Sequence, residues 1–160
     1  MNQLFVSSEG KHMTADQIIA EMIAFMAIAP SREYKVIIGS DSLRRPNGTA
    51  DFVTAIVIHR VGNGGRYFWR RTVTEKRFHT LRDRILEEVL LSLEVAHAFL
   101  EAAKVRLFFD FAFEIHVDAG MNGATKALIQ ELVGIIRANN FEAKTKPDSY
   151  AASKVADRHV

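Results

Sequence analysis

Between Tyr34 and Val73, three runs rich in valine, isoleucine, threonine and aromatic residues follow one another with almost nothing between them. Tyr34 to Asp41 gives way to Arg44-Arg-Pro-Asn-Gly48, Phe52 to Val61 gives way to Gly62-Asn-Gly-Gly65, and Arg66 to Val73 completes the set. Links this short leave no room for a crossover, so the three strands must lie antiparallel as a hairpin-linked trio. The rest of the chain has the opposite character. A helix begins at Thr80, where Thr-Leu-Arg-Asp83 is a capping signal, and Leu86, Val89, Leu93, Ala96 and Leu100 carry its spacing to about Lys104. A fourth strand, Phe113-Glu-Ile-His-Val-Asp118, is followed by a break at Ala119-Gly-Met-Asn-Gly123 and by a helix with Leu128, Ile129, Leu132, Val133 and Ile136 on one side. Asn139-Asn140 stops that helix, Phe141 to Lys146 forms a short fifth strand, and Pro147-Asp-Ser149 turns the chain into a last helix from Tyr150 to about Arg158. Strands separated by helices need crossovers and so lie parallel to the first. The expected architecture is α/β: a mixed five-stranded sheet, strands one to three antiparallel, four and five parallel to the first, flanked by helices.

An extra helix precedes this core. Thr14-Ala-Asp-Gln17 matches a capping box, Ile18, Ile19, Met22, Ile23, Phe25 and Met26 follow, and Pro30 closes the segment. With 160 residues, 48% of them hydrophobic, the chain can bury a core as one domain, residues 1–33 forming an extension to a core of 34–160. It contains no cysteine, which excludes disulfides, thiolate metal sites and a cysteine nucleophile and suits the cytoplasm. Any metal must therefore use oxygen or imidazole ligands. No apolar stretch is long enough to cross a bilayer, no targeting segment precedes the first helix, and a formal charge of +2 decides nothing about partners. The glycines of Gly62-Asn-Gly-Gly65 do not make a phosphate cradle, since no helix follows them, and neither a Gly-x-Ser-x-Gly elbow nor a His-Glu-x-x-His motif occurs.

The chemistry-bearing residues are acids. Asp41 and Asp118 each end an apolar strand, and in open α/β sheets ligands bind in the crevice beyond the carboxyl ends of the strands. Either aspartate alone reads as a turn cap. Together they would repel unless a cation or a shared proton intervened, which makes them a candidate hard-cation site. On the helix after the trio, Glu88 lies roughly 110° from the centre of the apolar stripe, closer to the core than Glu87 or Glu94. It either leans toward the acidic site or pairs with Arg84 at the surface. Asp157, on the terminal helix, either joins the same cluster or is an exposed acid.

His116 shares a strand face with Asp118 and is expected as a hydrogen-bonded core residue. The alternation Arg66-Tyr-Phe-Trp-Arg-Arg71 allows two readings, a cationic stacking surface for nucleic acid or an edge strand guarded by charge. Arg44, Arg45, Lys126, Lys144, Lys146, Lys154 and Arg158 all fall on segments expected beside the acids.

The element order from Tyr34 to His159 resembles that of the ribonuclease H-like superfamily. More closely, Ile38-Gly-Ser-Asp-Ser42, Leu81-Arg-Asp-Arg-Ile85, Glu88-Val-Leu-Leu-Ser-Leu-Glu94, His116-Val-Asp-Ala-Gly120 and Lys146-Pro-Asp-Ser-Tyr-Ala-Ala-Ser-Lys-Val-Ala-Asp-Arg158 resemble the YkuK-like family of predicted nucleases. The resemblance implies a single ribonuclease H-like domain over residues 1–160. It implies metal-dependent hydrolysis of nucleic-acid phosphodiesters, with Asp41, Glu88, Asp118 and Asp157 holding two Mg²⁺ or Mn²⁺ ions about 3.5 to 4 Å apart. Asp41 would bridge the ions, Glu88 and Asp118 would complete one shell, and Asp157 would hold the second ion. The partner implied is RNA or DNA, with a homodimer if the substrate is branched and two-fold symmetric. Gly39-Ser-Asp-Ser42 lacks the Asp-Gly pair common after the first strand of ribonucleases H, so cleavage specific for RNA–DNA hybrids is not implied. The alternative is a non-catalytic nucleic-acid- or protein-binding module on the same fold.

Overall fold

In a computed structural model whose described residues are 4–104, 111–120 and 126–160, the hairpin trio lies at the heart of one seven-stranded sheet. The elements are β1 (Phe5–Ser7), β2 (His12–Met13), α1 (Ala15–Ile28), β3 (Tyr34–Arg44), β4 (Ala50–Arg60), β5 (Gly65–Thr74), α2 (Leu81–Ala103), β6 (Ala112–His116), α3 (Lys126–Ala138) and β7 (Glu142–Lys144). A π-helical turn, Ala151–Ala156, and a 3₁₀ turn, Asp157–His159, end the chain. The strand order is β2-β1-β5-β4-β3-β6-β7. β3, β4 and β5 pair antiparallel, while β6 joins β3, and β7 joins β6, in parallel. The expected mixed sheet is present.

Two strands exceed the expected five. β1 and β2 come from the segment before the first helix: β1 pairs with β5 and β2 pairs with β1, both antiparallel. Strands of three and two residues are too short to show a period of their own. The reversal between them turns on Gly10, whose φ of +81° suits glycine, and Gly10 N–H donates to Ser7 O at 2.9 Å. The terminal helix differs as well, forming a π turn followed by a 3₁₀ turn in place of a regular α-helix.

The helix starts follow the sequence closely. Thr14 and Gln17 form the reciprocal capping box of α1, and Thr80 Oγ1 accepts from Asp83 N–H at 3.0 Å to open α2. Side chains alternate along β3, so its two faces meet different partners. Val36 and Ile38 join the main core with Ile19, Met22, Val89 and Leu93 of the helices. Ile37, on the opposite face, packs with Val57 and Ala151 of the C-terminal turn. Two layers thus cover the sheet, with the helices on one face and the C-terminal segment on the other. Among the described residues no helix is long and apolar enough to cross a membrane.

Candidate functional site

Register brings the two aspartates together. β3 and β6 pair in parallel from Lys35 with Ala112 to Gly39 with His116. Asp41 and Asp118 each lie two residues past the last pair, Asp118 in a bend closed by Ala119 N–H donating to Val117 O at 2.9 Å, and both side chains line one cleft. Neither ends its strand as expected. β3 runs on to Arg44 because β4 keeps pairing with it as far as Arg44 opposite Ala50, while β6 stops at His116. Asp41 therefore sits where β3 loses its parallel neighbour and one flank of the strand opens. Past His116 the chain leans toward the β7 side: Val117 N–H donates to Lys144 O at 2.9 Å and Lys146 N–H donates to Ala119 O at 3.0 Å. This brings Lys146 Nζ to 3.0 Å from Asp118 Oδ1.

Glu88 turns inward. It is 5% exposed, and its Oε1 accepts a hydrogen bond from Ser42 Oγ at 2.5 Å. The surface pairing with Arg84 is not formed. Arg84 Nη1 instead donates to Ser42 O at 2.9 Å and to Ser42 Oγ at 3.2 Å, so the serine stands between the guanidinium and the carboxyl. One turn along α2, Ser92 Oγ and Thr54 Oγ1 both bond to Ser40 Oγ, at 2.7 and 2.8 Å. The helix is thus fixed to the sheet by a row of small hydroxyls, which sets Glu88 over the strand end. Burial pushes the Glu88 carboxyl up to about 8; the Asp41 and Asp118 charges add to the rise, and the Ser42 bond and Arg84 oppose it.

Asp157 approaches from the other face of the sheet. Its carboxyl is within hydrogen-bonding reach of the Asp41 carboxyl, on the side to which alternation directs Asp41. Burial raises the Asp41 carboxyl to about 6, against the pull of the Ser42 backbone N–H; the contact with Asp157 and the charges of Asp118 and Asp157 raise it further. Two carboxyls in contact are tolerated when one holds a proton that it donates to the other.

The four acids converge on one end of the sheet. Asp41, Glu88 and Asp118 line a cleft of about 260 Å³ with Leu81, Arg84, Ile85, Ala119, Gly120 and Lys146, and Asp157, exposed and outside that lining, lies beside Asp41. The donors are all carboxylate oxygens, the chemistry that hard divalent cations prefer. Asp118 Oδ1 is buried without a hydrogen-bond partner, since its approach to Lys146 is an ion pair lacking hydrogen-bond geometry. Mutual repulsion and burial fit a cation, and Lys146 supplies one positive charge beside Asp118. Among the described residues, however, no group of three or more Asp, Glu or His side chains is arranged to hold a metal ion as it stands. Side-chain rotation about the present positions would have to close the shell.

Ser42 and Arg84 were not singled out by sequence as site residues. The available signal was Ser40-Asp-Ser42, two small hydroxyls on the helix-facing side of an otherwise apolar strand. Of the residues that could form a cationic stacking surface on β5, Arg66 and Arg71 stay exposed while others are engaged within the chain. Arg66 lies 4.7 Å over the Phe25 ring, Arg70 is 3% exposed, and His159 stacks on Trp69 at 4.4 Å. The edge-strand reading holds in part, since among the described residues β1 covers β5 at two positions, Val6 opposite Trp69 and Ser7 opposite Phe68. His116 is a buried, hydrogen-bonded core residue, with Nε2 at 2.9 Å from Glu114 Oε2.

A family model described as Ribonuclease H-like matches residues 17–160 of the chain. The protein named Uncharacterized protein YkuK, of Bacillus subtilis (strain 168), is 34% identical over 165 residues, an alignment covering 97% of this chain and 95% of the relative. No solved structure matches the chain.

Proposed function

The chain belongs to the YkuK-like, ribonuclease H-like family, and from that premise we propose that it is a divalent-metal-dependent nuclease that hydrolyses phosphodiester bonds of RNA or DNA. The observation that carries the reading is the convergence of Asp41, Glu88, Asp118 and Asp157, from a strand, a helix, the bend after β6 and the C-terminal segment, on one end of the sheet. Their carboxylates would hold Mg²⁺ or Mn²⁺, with Asp41 central because it neighbours the other three. Bound metal would supply an activated water and charge stabilisation for the leaving oxygen. Arg84 and Lys146, on the rim of the same cleft, would draw in and orient the phosphate backbone. Glu88, ordinarily protonated near neutral pH in the absence of cation, would release its proton as the site fills, which ties binding to pH.

The reading takes residues 1–160 as one domain, supported by a sheet that includes strands of both the 1–33 extension and the core. A chain without cysteine suits the cytoplasm. The test is cleavage of end-labelled single-stranded, duplex and hybrid RNA and DNA with Mg²⁺, with Mn²⁺ or with chelator. Divalent-dependent cleavage lost in Asp41→Asn and Asp118→Asn supports the proposal, and cleavage retained in either variant refutes the assignment.

A second reading, a non-catalytic module binding nucleic acid or protein, is favoured by one observation: among the described residues the acids are not arranged to hold an ion as they stand. Nucleic-acid binding insensitive to divalent metal, with no cleavage, would select it.

A further inference from the structure

Beneath the segment that carries Asp157 lies a buried polar pair outside the acidic cleft. Glu114 and His116 are 4% and 2% exposed, two residues apart on β6, and the start of the Ala151–Ala156 turn, which lies over β3 and β4, meets the sheet at His116. In register they stand beside Ile37 and Gly39 of β3, and the glycine opposite His116 offers no side chain to compete for its space. Glu114 Oε1 is 3.2 Å from Lys35 Nζ, and its other oxygen lies 2.9 Å from His116 Nε2. On the far side of the ring, His116 Nδ1 accepts from Ala151 N–H at 3.3 Å. A ring nitrogen that accepts carries no proton, so the proton is on Nε2 and is donated to Glu114. The Tyr150 ring stands edge-on to the imidazole at 4.8 Å, and its hydroxyl lies 3.1 Å from His59 Nδ1.

The same segment is anchored again past Asp157. His159 lies flat on Trp69, rings 9° from parallel, and Arg71 Nη2 donates to His159 O at 2.9 Å. Asp157 sits between the two anchors. The first amides of a helix lack partners within it, so an acceptor offered by the sheet at Ala151 settles where the turn begins. Where it begins decides where Asp157 points, because displacement by one residue swings a side chain of a 3₁₀ turn by about 120°.

We propose that Glu114 and His116 are positioning residues for Asp157: the carboxylate fixes the imidazole so that Nδ1 receives the Ala151 amide, and that bond aims Asp157 at Asp41. The proposal rests on Asp157 being a member of the acidic site.

Asparagine and glutamine separate the proposal from a merely structural role. The amide oxygen of Asn at position 116 reaches the place of Nδ1, whereas that of Gln extends toward the place of Nε2 and leaves the Ala151 amide without an acceptor. Three readouts apply to the native protein, His116→Asn, His116→Gln, Asp157→Asn and the double variant His116→Gln/Asp157→Asn: hydrogen exchange at the Ala151 amide, Mn²⁺ affinity and crystal structures. His116→Asn should keep Ala151 protected and Mn²⁺ affinity within about twofold of native, while His116→Gln should expose the amide and weaken Mn²⁺ binding about tenfold, the size typical of lost ligand orientation. In the Asp157→Asn background, His116→Gln should cause no further loss, and an additive loss overturns the proposal. If the native protein binds no Mn²⁺, the metal-dependent reading fails by itself and the His116→Gln structure decides this one: Asp157 still in contact with Asp41 overturns it. Should His116→Gln not fold, an unprotected Ala151 amide in the native protein overturns it equally, and a protected one retained in His116→Asn supports it.

Discussion

The Ser42 hydroxyl donates to the buried Glu88 carboxyl across 2.5 Å and accepts from Arg84, joining a strand to a helix 46 residues further along the chain. Replacing Ser42 with alanine removes the one hydrogen bond that Glu88 receives among the described residues and leaves that carboxyl in the same buried place. The variant should lose about 1 to 2 kcal/mol in urea unfolding at pH 7. Because the Ser42 bond lowers the Glu88 pKa, its loss should also raise the midpoint of Glu88 protonation, followed by carboxyl NMR.

Glu88 itself makes stability depend on pH. Its carboxyl titrates near 8 in the folded chain against an ordinary value of 4.5, so between those limits the folded state holds more protons than the unfolded one. Stability must fall as pH rises through this window, and the loss is complete only above about 8. Glu88→Gln, which keeps the acceptor for Ser42, should change little at pH 4 and stabilise the metal-free protein by several kcal/mol, in order of magnitude, at pH 9. Chemical unfolding in chelating buffer at the two pH values checks both the sign and the window.

Asp41→Asn should separate stability from function. Asp41 titrates near 6 because burial and its acidic neighbours disfavour its charge. The amide should therefore stabilise the metal-free protein above pH 6 while weakening Mn²⁺ binding and reducing cleavage by more than the 10- to 100-fold typical of residues that only support ligands. Calorimetric Mn²⁺ titration, thermal unfolding and cleavage assays on one preparation would measure all three. A variant both less stable and fully active would contradict the account.

Arg60 anchors the other end of the sheet to α1. Its guanidinium lies 4.1 Å over the Phe25 ring, donates to Phe25 O at 2.8 Å and donates to Tyr34 Oη at 3.1 Å. Arg60→Ala should cost about 2 kcal/mol in denaturant unfolding, with lysine recovering only part because it lacks the planar fork. The acidic cleft lies toward the opposite end of β3, so divalent-metal affinity should not change.

Most of the secondary structure was legible because its signals are local. The capping residues Thr14 and Thr80, the turn at Gly62-Asn-Gly-Gly65 and the stop at Asn139-Asn140 each act within a few residues, and each marks an element boundary in the structure. β1 and β2 escaped notice because they owe their pairing to β5, some 60 residues away in sequence, and carry almost no periodic signal. The aromatic and basic alternation of β5 left two readings open for a related reason: local pattern shows which residues share a face, not what covers it. Here the cover is α1 on one side and His159 on the other.

The four acids divide in the same way. Sequence placed Asp41 and Asp118 near strand ends and Glu88 beside the buried stripe, since spacing along a strand or helix follows from backbone geometry alone. It left open whether Glu88 turned in or out and whether Asp157 joined the cluster. Tertiary structure turned Glu88 in and left Asp157 exposed, beside Asp41. Ser42, offered by a separate strand, draws Glu88 inward, and a terminal segment held by His116 and Trp69 carries Asp157 to the neighbourhood of Asp41. Periodicity fixes the direction of a side chain relative to its own element, whereas proximity between charges depends on how elements dock, and docking is set by contacts between residues far apart along the chain.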